Sequence, residues 1–297
     1  MKKILFILSL FISTISFAQN RHTGSFIHEV QNYGAVKDIT IDNTQAIQRA
    51  LDSAHAKGGG KVHIPSGVWG ISKLHTYANV EIQGDGMATV LKATTADTMI
   101  VCNNSGSFAK FRGGTYGYSQ PISDIFLEGH NIAVVGYSSQ FMYWFNVSRV
   151  WIDSCTSIGL LLKGGLTGSF NDVTIQHCPT GALLDSFVTI PNGAVSPNLM
   201  EFHSCRFYYA SLWGMTVRAS QGNVALYNCD FEFNGIIHNP RTGSLQVLGS
   251  NRNGIYCENT WWEANYGTLV YLGPTSSGQG TTWTFRNCNM FVNSNAS

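Results

Sequence analysis

Charge is what this sequence has least of: Asp, Glu, Lys and Arg together supply 12% of its 297 residues, about half the share usual in soluble domains. The formal net charge is +1, which gives a nucleic acid or an acidic membrane surface no electrostatic hold. Beyond the amino terminus no stretch approaches the ~20 apolar residues of a membrane-spanning helix, so membrane insertion is not expected. Metal-site spacings are missing too, since the chain contains neither CxxC nor HxxxH, the patterns that bring ligands onto one zinc ion. At the amino terminus, Lys2 and Lys3 precede an apolar run from Ile4 to Phe17 that closes on Ser16-Phe17-Ala18. These are the marks of a signal peptide over residues 1–18, and they predict a secreted or periplasmic protein.

Turn chemistry is what the sequence has in excess. Gly alone contributes 31 residues, and with plentiful Asn, Ser, Thr and aromatics it fits an all-β chain of many short strands. Aligned on cysteine, the second half reads VWIDSC (Val150 to Cys155), VTIQHC (Val173 to Cys178), MEFHSC (Met200 to Cys205), VALYNC (Val224 to Cys229), IYCENT (Ile255 to Thr260) and WTFRNC (Trp283 to Cys288), with IFLEGH (Ile125 to His130) ahead of them. Large apolar residues at the first and third positions make each unit a strand. A period of about 23 to 31 residues marks a solenoid, whose units bury their apolar faces only against neighbours. Leucine-rich repeats lack their consensus here, and propeller blades are longer, so one coil of a parallel β-helix fits best.

The fifth position reads Gly129, Ser154, His177, Ser204, Asn228, Asn259 and Asn287, turn chemistry suited to left-handed backbone. Cys155, Cys178, Cys205, Cys229 and Cys288 fall at the sixth, where Thr260 takes the same place. Two readings are open: an inward ladder of small apolar side chains, or disulfides between adjacent coils. A further strand follows a glycine in GLLLKG (Gly159), GALLDS (Gly181), GMTVRA (Gly214), GIIHN (Gly235) and GTLVYL (Gly267). Alternation then points Leu161 and Lys163, Leu183 and Asp185, Thr216 and Arg218, and Tyr271 outward, in rows. Upstream, Asp42 or Asn43 can cap a helix that carries Ile47, Ala50, Leu51 and Ala54 on one face and ends at Gly58. Placed before the first coil, such a helix is expected to cover the open end of the apolar bore.

Residues 28–92 contain a "YGA" strand, "TQAIQRAL", "GGGKVHIPSG" and "VEIQGDG" before "TVLK". This stretch resembles the opening of the pectate-lyase superfamily, which includes rhamnogalacturonase, epimerase-like and phage tailspike proteins. The resemblance implies an all-β, single right-handed parallel β-helix over residues 19–297, with an N-terminal capping helix and first coils at 28–92 and regular coils at 125–297. It implies a long sheet face that handles a polysaccharide, and it is specific for the fold rather than for a reaction. The "NTD", "DD", "GHG" and "RIK" motifs of polygalacturonase-type members are absent, as is the run of calcium-binding aspartates of pectate lyases.

Candidate chemistry falls in three places. Lys163, Asp185 and Arg218, with Tyr271 farther along, lie on the sheet that holds the groove in this superfamily. A uronate lyase needs a cation to neutralise the carboxylate and a base to take the C5 proton. Arg218 suits the first role and Lys163 or Tyr271 the second, while Asp185 suits orientation or a divalent cation such as calcium. The same residues also read as a charge-compensated surface ladder. Glu232 and Glu263, in the matching DFEFN and WWEAN turns, form a carboxylate pair of glycosidase type, or else decorate a repeated turn. Glu128, Asp153, Gln176, His203, Tyr227, Glu258 and Arg286 form a third row, with Glu201 beside His203, and Trp151 points outward where it can stack on a sugar. Trp151, His203 and Tyr227 are the expected substrate-binding residues. The leading reading is a polysaccharide lyase or glycoside hydrolase acting on an acidic glycan. Its rival is a non-catalytic glycan-binding β-helix of tailspike or adhesin type, which admits a homotrimer.

Overall fold

The structure, a computed structural model, describes residues 27–103, 119–140, 142–189, 193–219, 222–248, 254–273 and 282–292. The expected leader, residues 1–18, lies outside them. Strands pair in parallel through a 16-stranded sheet and an 8-stranded sheet, with one small antiparallel hairpin of Phe187–Thr189 and Gly193–Val195.

Single left-handed residues make the corners of each coil. Tyr143–Asp153 and Leu166–Gln176 are continuous strands by hydrogen bonding, yet Arg149 (φ 53°) and Asp172 (φ 54°) bend them midway. Each therefore contributes to two faces. In later coils the path is split outright: Asn198–His203, then left-handed Ser204, then Arg206–Tyr208. The first face stacks 143–148, 166–171, Asn198–His203, Val224–Tyr227, Ile255–Glu258 and Trp283–Arg286. The second stacks 150–153, 173–176, Arg206–Tyr208, Asp230–Glu232, Trp261–Asn265 and Asn289–Val292. The third is the 8-stranded sheet, which includes Val135–Gln140, Ile158–Lys163, Thr180–Asp185, Trp213–Val217, Gly243–Val247 and Thr268–Leu272.

Inward side chains stack at the coil spacing and fill the bore. Phe170 lies on Phe202 at 4.7 Å, and Phe207 on Phe231 at 4.7 Å, with Trp262 following at 5.6 Å. The glycine at position 168 follows from this packing. A Cβ there would meet Phe145 Cζ at 2.4 Å and Met200 Sδ at 2.7 Å, so any larger residue must displace the side chains that fill the bore.

The six-residue repeat does not trace one row. Ser154 and His177 stand at the corner that ends the second face, where Tyr209, Phe233 and Ala264 continue them. Ser204, Asn228, Asn259 and Asn287 stand at the corner between first and second faces, following Asp124, Arg149 and Asp172. All six non-glycine residues of the expected turn position are left-handed, with φ from 50° to 56°. Within the aligned units both corners use one left-handed residue followed by Cys or Thr, so they carry the same signature.

The cysteines accordingly form two short ladders. Cys155 and Cys178 are continued by Ala210, Asn234 and Asn265, whose buried amides bridge successive coils: Asn234 Oδ1 accepts from Ala210 N at 2.9 Å, and Asn265 Oδ1 from Asn234 N at 2.9 Å. Cys205, Cys229, Thr260 and Cys288 form the other, and Cys229 Sγ donates to Phe202 O at 3.3 Å. All seven cysteines are free, and all but Cys288 are buried. Burial pushes the Cys205 thiol well up and that of Cys102 to about 12, so they resist the thiolate chemistry that oxidation requires. Titrating the denatured, unreduced protein with a thiol reagent should therefore find close to seven free thiols. About three would mean that the neighbouring pairs Cys155–Cys178 and Cys205–Cys229 are disulfide-bonded.

One expected strand is displaced. Residues 235–239 (GIIHN) form a turn with left-handed Gly235 (φ 91°) and His238 (φ 62°), and the third-face strand is Gly243–Val247. Pro240 has no N–H for a sheet ladder, and Thr242 Oγ1 closes the turn by accepting from Ile236 N at 2.8 Å.

The helix α1 spans Thr44–Ala56 and buries Ala46, Ile47, Ala50, Leu51 and Ala54. Asp42 Oδ1 accepts from Thr44 N at 2.9 Å at its start, while the Asn43 side chain turns back to Val36 N at 2.7 Å. Left-handed Gly58 (φ 90°) ends it. The helix packs against strands Ile27–Glu29, Gly60–His63 and Leu74–Thr76. Among the described residues no helix is long and apolar enough to cross a membrane.

Candidate functional site

On the third face, register pairs Asn103 with Gln140, Gln140 with Lys163, and Lys163 with Asp185. Arg218 follows Val217, the partner of Leu184, and its Nη1 donates to Asp185 Oδ2 at 2.9 Å. Gln140, Lys163, Asp185 and Arg218 thus form one outward row across consecutive strands. Asp185 Oδ1 also accepts from Ser186 N at 2.8 Å. Arg218 is 55% exposed and Asp185 18%, so the carboxylate is held down while the guanidinium faces solvent. Lys163 has no ion-pair partner among the described residues. Tyr271 is not an extension of this row: its register runs through Gln246 to Thr216 and Leu183, one outward position earlier on each strand. Its ring lies 6.2 Å from that of Trp213.

The expected row from Glu128 to Arg286 divides between two faces, for the reason given by the corners. Glu128, Asp153 and Gln176 continue on the second face to Tyr208, Glu232 and Glu263. His203, Tyr227, Glu258 and Arg286 continue on the first face from Ser123, Ser148 and Asn171. Trp151 belongs to the second face, between Phe126 and Thr174. It is therefore a face away from His203 and Tyr227, and the three expected substrate-binding residues do not make one site.

Glu232 and Glu263 are direct register partners, and around them the structure gathers residues that the repeat did not single out. Asp230, Arg206 and Trp261 occupy the adjoining outward row. Tyr208 Oη donates to Asp230 Oδ2 at 2.6 Å, and Trp261 Nε1 to Glu263 Oε2 at 2.8 Å. Burial pushes the Asp230 carboxyl up. Burial, then the charges of Asp230 and Glu263, push Glu232 up as well. Asp230 Oδ1 is buried without a hydrogen-bond partner, which penalises the charged form of that carboxyl. The signal available was the alternation of DFE, which puts Asp230 and Glu232 on the same side of one strand.

On the first face, His203 Nε2 lies 3.2 Å from Glu201 Oε2, and its ring stacks on Tyr227 at 4.9 Å. Tyr256 Oη donates to Glu258 Oε2 at 2.7 Å. Among the described residues no three His, Cys, Asp or Glu side chains are arranged to hold a metal ion. Asp185, the expected position for a divalent cation, has Lys163 and Arg218 as its neighbours in the row.

Comparison with known proteins shows similarity at two ranges. Mannuronan C5-epimerase AlgE1 of Azotobacter vinelandii is 34% identical over 128 residues, which are 40% of this chain and 9% of that protein. Alginate lyase 7 of the same organism is 42% identical over 74 residues, 22% of this chain and 9% of that protein. The chain thus spans under a tenth of the length of these relatives. Among solved structures, the tailspike protein of Acinetobacter phage vB_ApiP_P1 superposes with a TM-score of 0.59 at 14% identity, over 90% of this chain and 50% of that one, a likeness of fold. The family described as "Rhamnogalacturonase A/epimerase, pectate lyase-like" matches residues 27–230. With a match over so much of its length, the chain belongs to the rhamnogalacturonase A/epimerase, pectate lyase-like family.

Proposed function

We propose that the protein acts on an acidic polysaccharide laid along the third face and removes the C5 proton of a uronate residue. The observation that carries this is the row Gln140, Lys163, Asp185, Arg218, which lines up an amide, a carboxylate and two basic side chains on successive strands. The second face is unsuited to a polyanion, because Glu128, Asp153, Asp230, Glu232 and Glu263 crowd its outward rows. Relatives named as mannuronan C5-epimerases and as an alginate lyase support the same reading.

In this chemistry Arg218 neutralises the substrate carboxylate, which acidifies the C5 proton, and Lys163 or Tyr271, acting as the free amine or the phenolate, accepts that proton. The electron pair left at C5 is held by the carboxylate. It then expels the oxygen at C4, which takes up a proton from the protonated base or from water, to give a C4=C5 double bond and a new chain end, or C5 is reprotonated without cleavage. Asp185 positions Arg218. A panel of uronate polysaccharides tests the reading through the ultraviolet absorbance of unsaturated ends and, in heavy water, deuterium at C5. Reducing ends released without either signal would sink it.

A second reading rests on a separate observation, the raised carboxyls of Asp230 and Glu232 beside Glu263. Partners on neighbouring strands stand roughly 5 Å apart, which suits the two carboxylates of a retaining glycosidase. In that case one raised carboxyl protonates the glycosidic oxygen. If the panel shows glycan binding but no turnover, the non-catalytic role of a tailspike-like binder stands instead.

A further inference from the structure

The first face holds a pocket of about 200 Å³ lined by Leu199, Glu201, Asn223, Ala225, Tyr227 and Tyr256. A size mismatch within one outward row creates it. Glu201, Ala225 and Tyr256 are register partners on consecutive strands. The short Ala225 side chain therefore leaves a gap two strand spacings wide, roughly 10 Å, between a carboxylate and a phenol ring. Ala225 itself is 5% exposed and forms the floor. Tyr227 closes the pocket along the strand, and its ring meets that of Tyr256 at 5.6 Å and 49°. The two rings thus form an open corner.

Each wall is braced from outside the pocket. His203 lies 3.2 Å from Glu201 Oε2 while its ring stacks on Tyr227 at 4.9 Å. Glu258 fixes Tyr256 through its hydroxyl at 2.7 Å, and Arg286 Nε stands 3.6 Å from the same carboxylate. Side chains held in this way lose little freedom when a ligand arrives. The volume is below the ~300–1,000 Å³ of drug-sized sites, so it suits one small ring.

We propose that this pocket is a second glycan subsite, separate from the third face, that takes one neutral pyranose residue. The apolar face of the sugar ring packs on Tyr227 or Tyr256, where an aromatic plane matches it. Vicinal hydroxyls donate to the Glu201 carboxylate in charge-assisted bonds, and Asn223 supplies a further polar contact. The lining contains a carboxylate and no cation, which excludes a uronate. This inference does not depend on the chemistry proposed for the third face.

Affinity electrophoresis tests it, with gels containing soluble glucomannan, xylan, galactan or dextran, and alginate as the polyuronate. At least one neutral polysaccharide should retard the wild-type protein. Tyr227→Ala, Tyr256→Ala and the pocket-filling Ala225→Leu should each weaken that retardation by about tenfold, while Arg218→Ala keeps it. Retardation by alginate should show the reverse pattern. Should Tyr227→Ala fail to fold, Glu201→Ala carries the same test, because that side chain is 50% exposed. The subsite is ruled out if no neutral polysaccharide retards the wild type, if retardation survives every pocket variant, or if those variants lose alginate instead.

Discussion

Arg218→Ala should lower kcat/KM on a uronate polysaccharide by about 10²- to 10³-fold, a loss of roughly 2 to 4 kcal/mol of transition-state stabilisation. The guanidinium is needed most when the C5 carbanion develops and its charge spreads onto the carboxylate, so the change should fall chiefly on kcat. Thermal stability should hardly move. Arg218 is 55% exposed, and an exposed ion pair contributes about 0 to 1 kcal/mol. The removed side chain also leaves Asp185 with its hydrogen bond from Ser186 N, so no carboxylate is stranded. Activity and stability thus separate by enough to decide the matter. Full activity in Arg218→Ala, together with its loss in Glu232→Ala or Glu263→Ala, would transfer the chemistry to the carboxylates of the second face.

The coil was legible because solenoid packing is local: each strand meets the next at nearly the same sequence distance, and inward residues alternate. The three-face path was not, and the fault lies in the corners. VTIQHC and MEFHSC look equivalent, each with two inward apolar residues, a left-handed residue and a cysteine. Yet Val173 to Gln176 stacks on Val150 to Asp153, while Met200 to His203 stacks on Gly168 to Asn171. Between them lies residue range 186–197, which carries the Phe187–Thr189 hairpin and lengthens that coil enough to pass for an ordinary repeat. A sequence alignment that steps from one corner to the other still looks periodic.

The same slip governs what was legible of the candidate sites. Lys163, Asp185 and Arg218 are legible as one row because their strands each follow a glycine, at Gly159, Gly181 and Gly214, which marks the third face independently of the corners. Tyr271 lies on the same sheet one outward position away, and only counting from the register partners Gln246 and Thr216 places it. Asp230 and Tyr208 carry no motif. Their interest comes from a 2.6 Å hydrogen bond and a buried, unpartnered carboxylate oxygen, both products of coils meeting across the sequence. The pocket on the first face is likewise the consequence of one small residue, Ala225, between two large ones that only register brings beside it.

Leu51→Asp should destabilise the protein by several kcal/mol, a larger effect than any surface variant above. The side chain is 0% exposed, within a helix face that also buries Ile47, Ala50 and Ala54. Nothing on that face offers a hydrogen bond to a carboxylate, and the helix rests on Ile27–Glu29 and Gly60–His63, the strands at one end of the described coils. A buried carboxylate without a partner either stays charged at a high desolvation penalty or takes up a proton at the expense of stability. The alternative is that the helix lifts away, which exposes Val30 and Val62, both 0% exposed in the native chain, and leaves a strand edge open to pairing with another molecule. Two companions separate these causes. Leu51→Ala removes apolar volume without adding charge and should lose about 2 to 5 kcal/mol. Gln45→Asp adds the same charge on the exposed side of the first turn and should stay within about 0.5 kcal/mol of wild type. Denaturant melts of the three variants measure the series. If Leu51→Asp unfolds at the same denaturant concentration as Gln45→Asp, the helix does not seal the bore, and the first coil must be closed by something else.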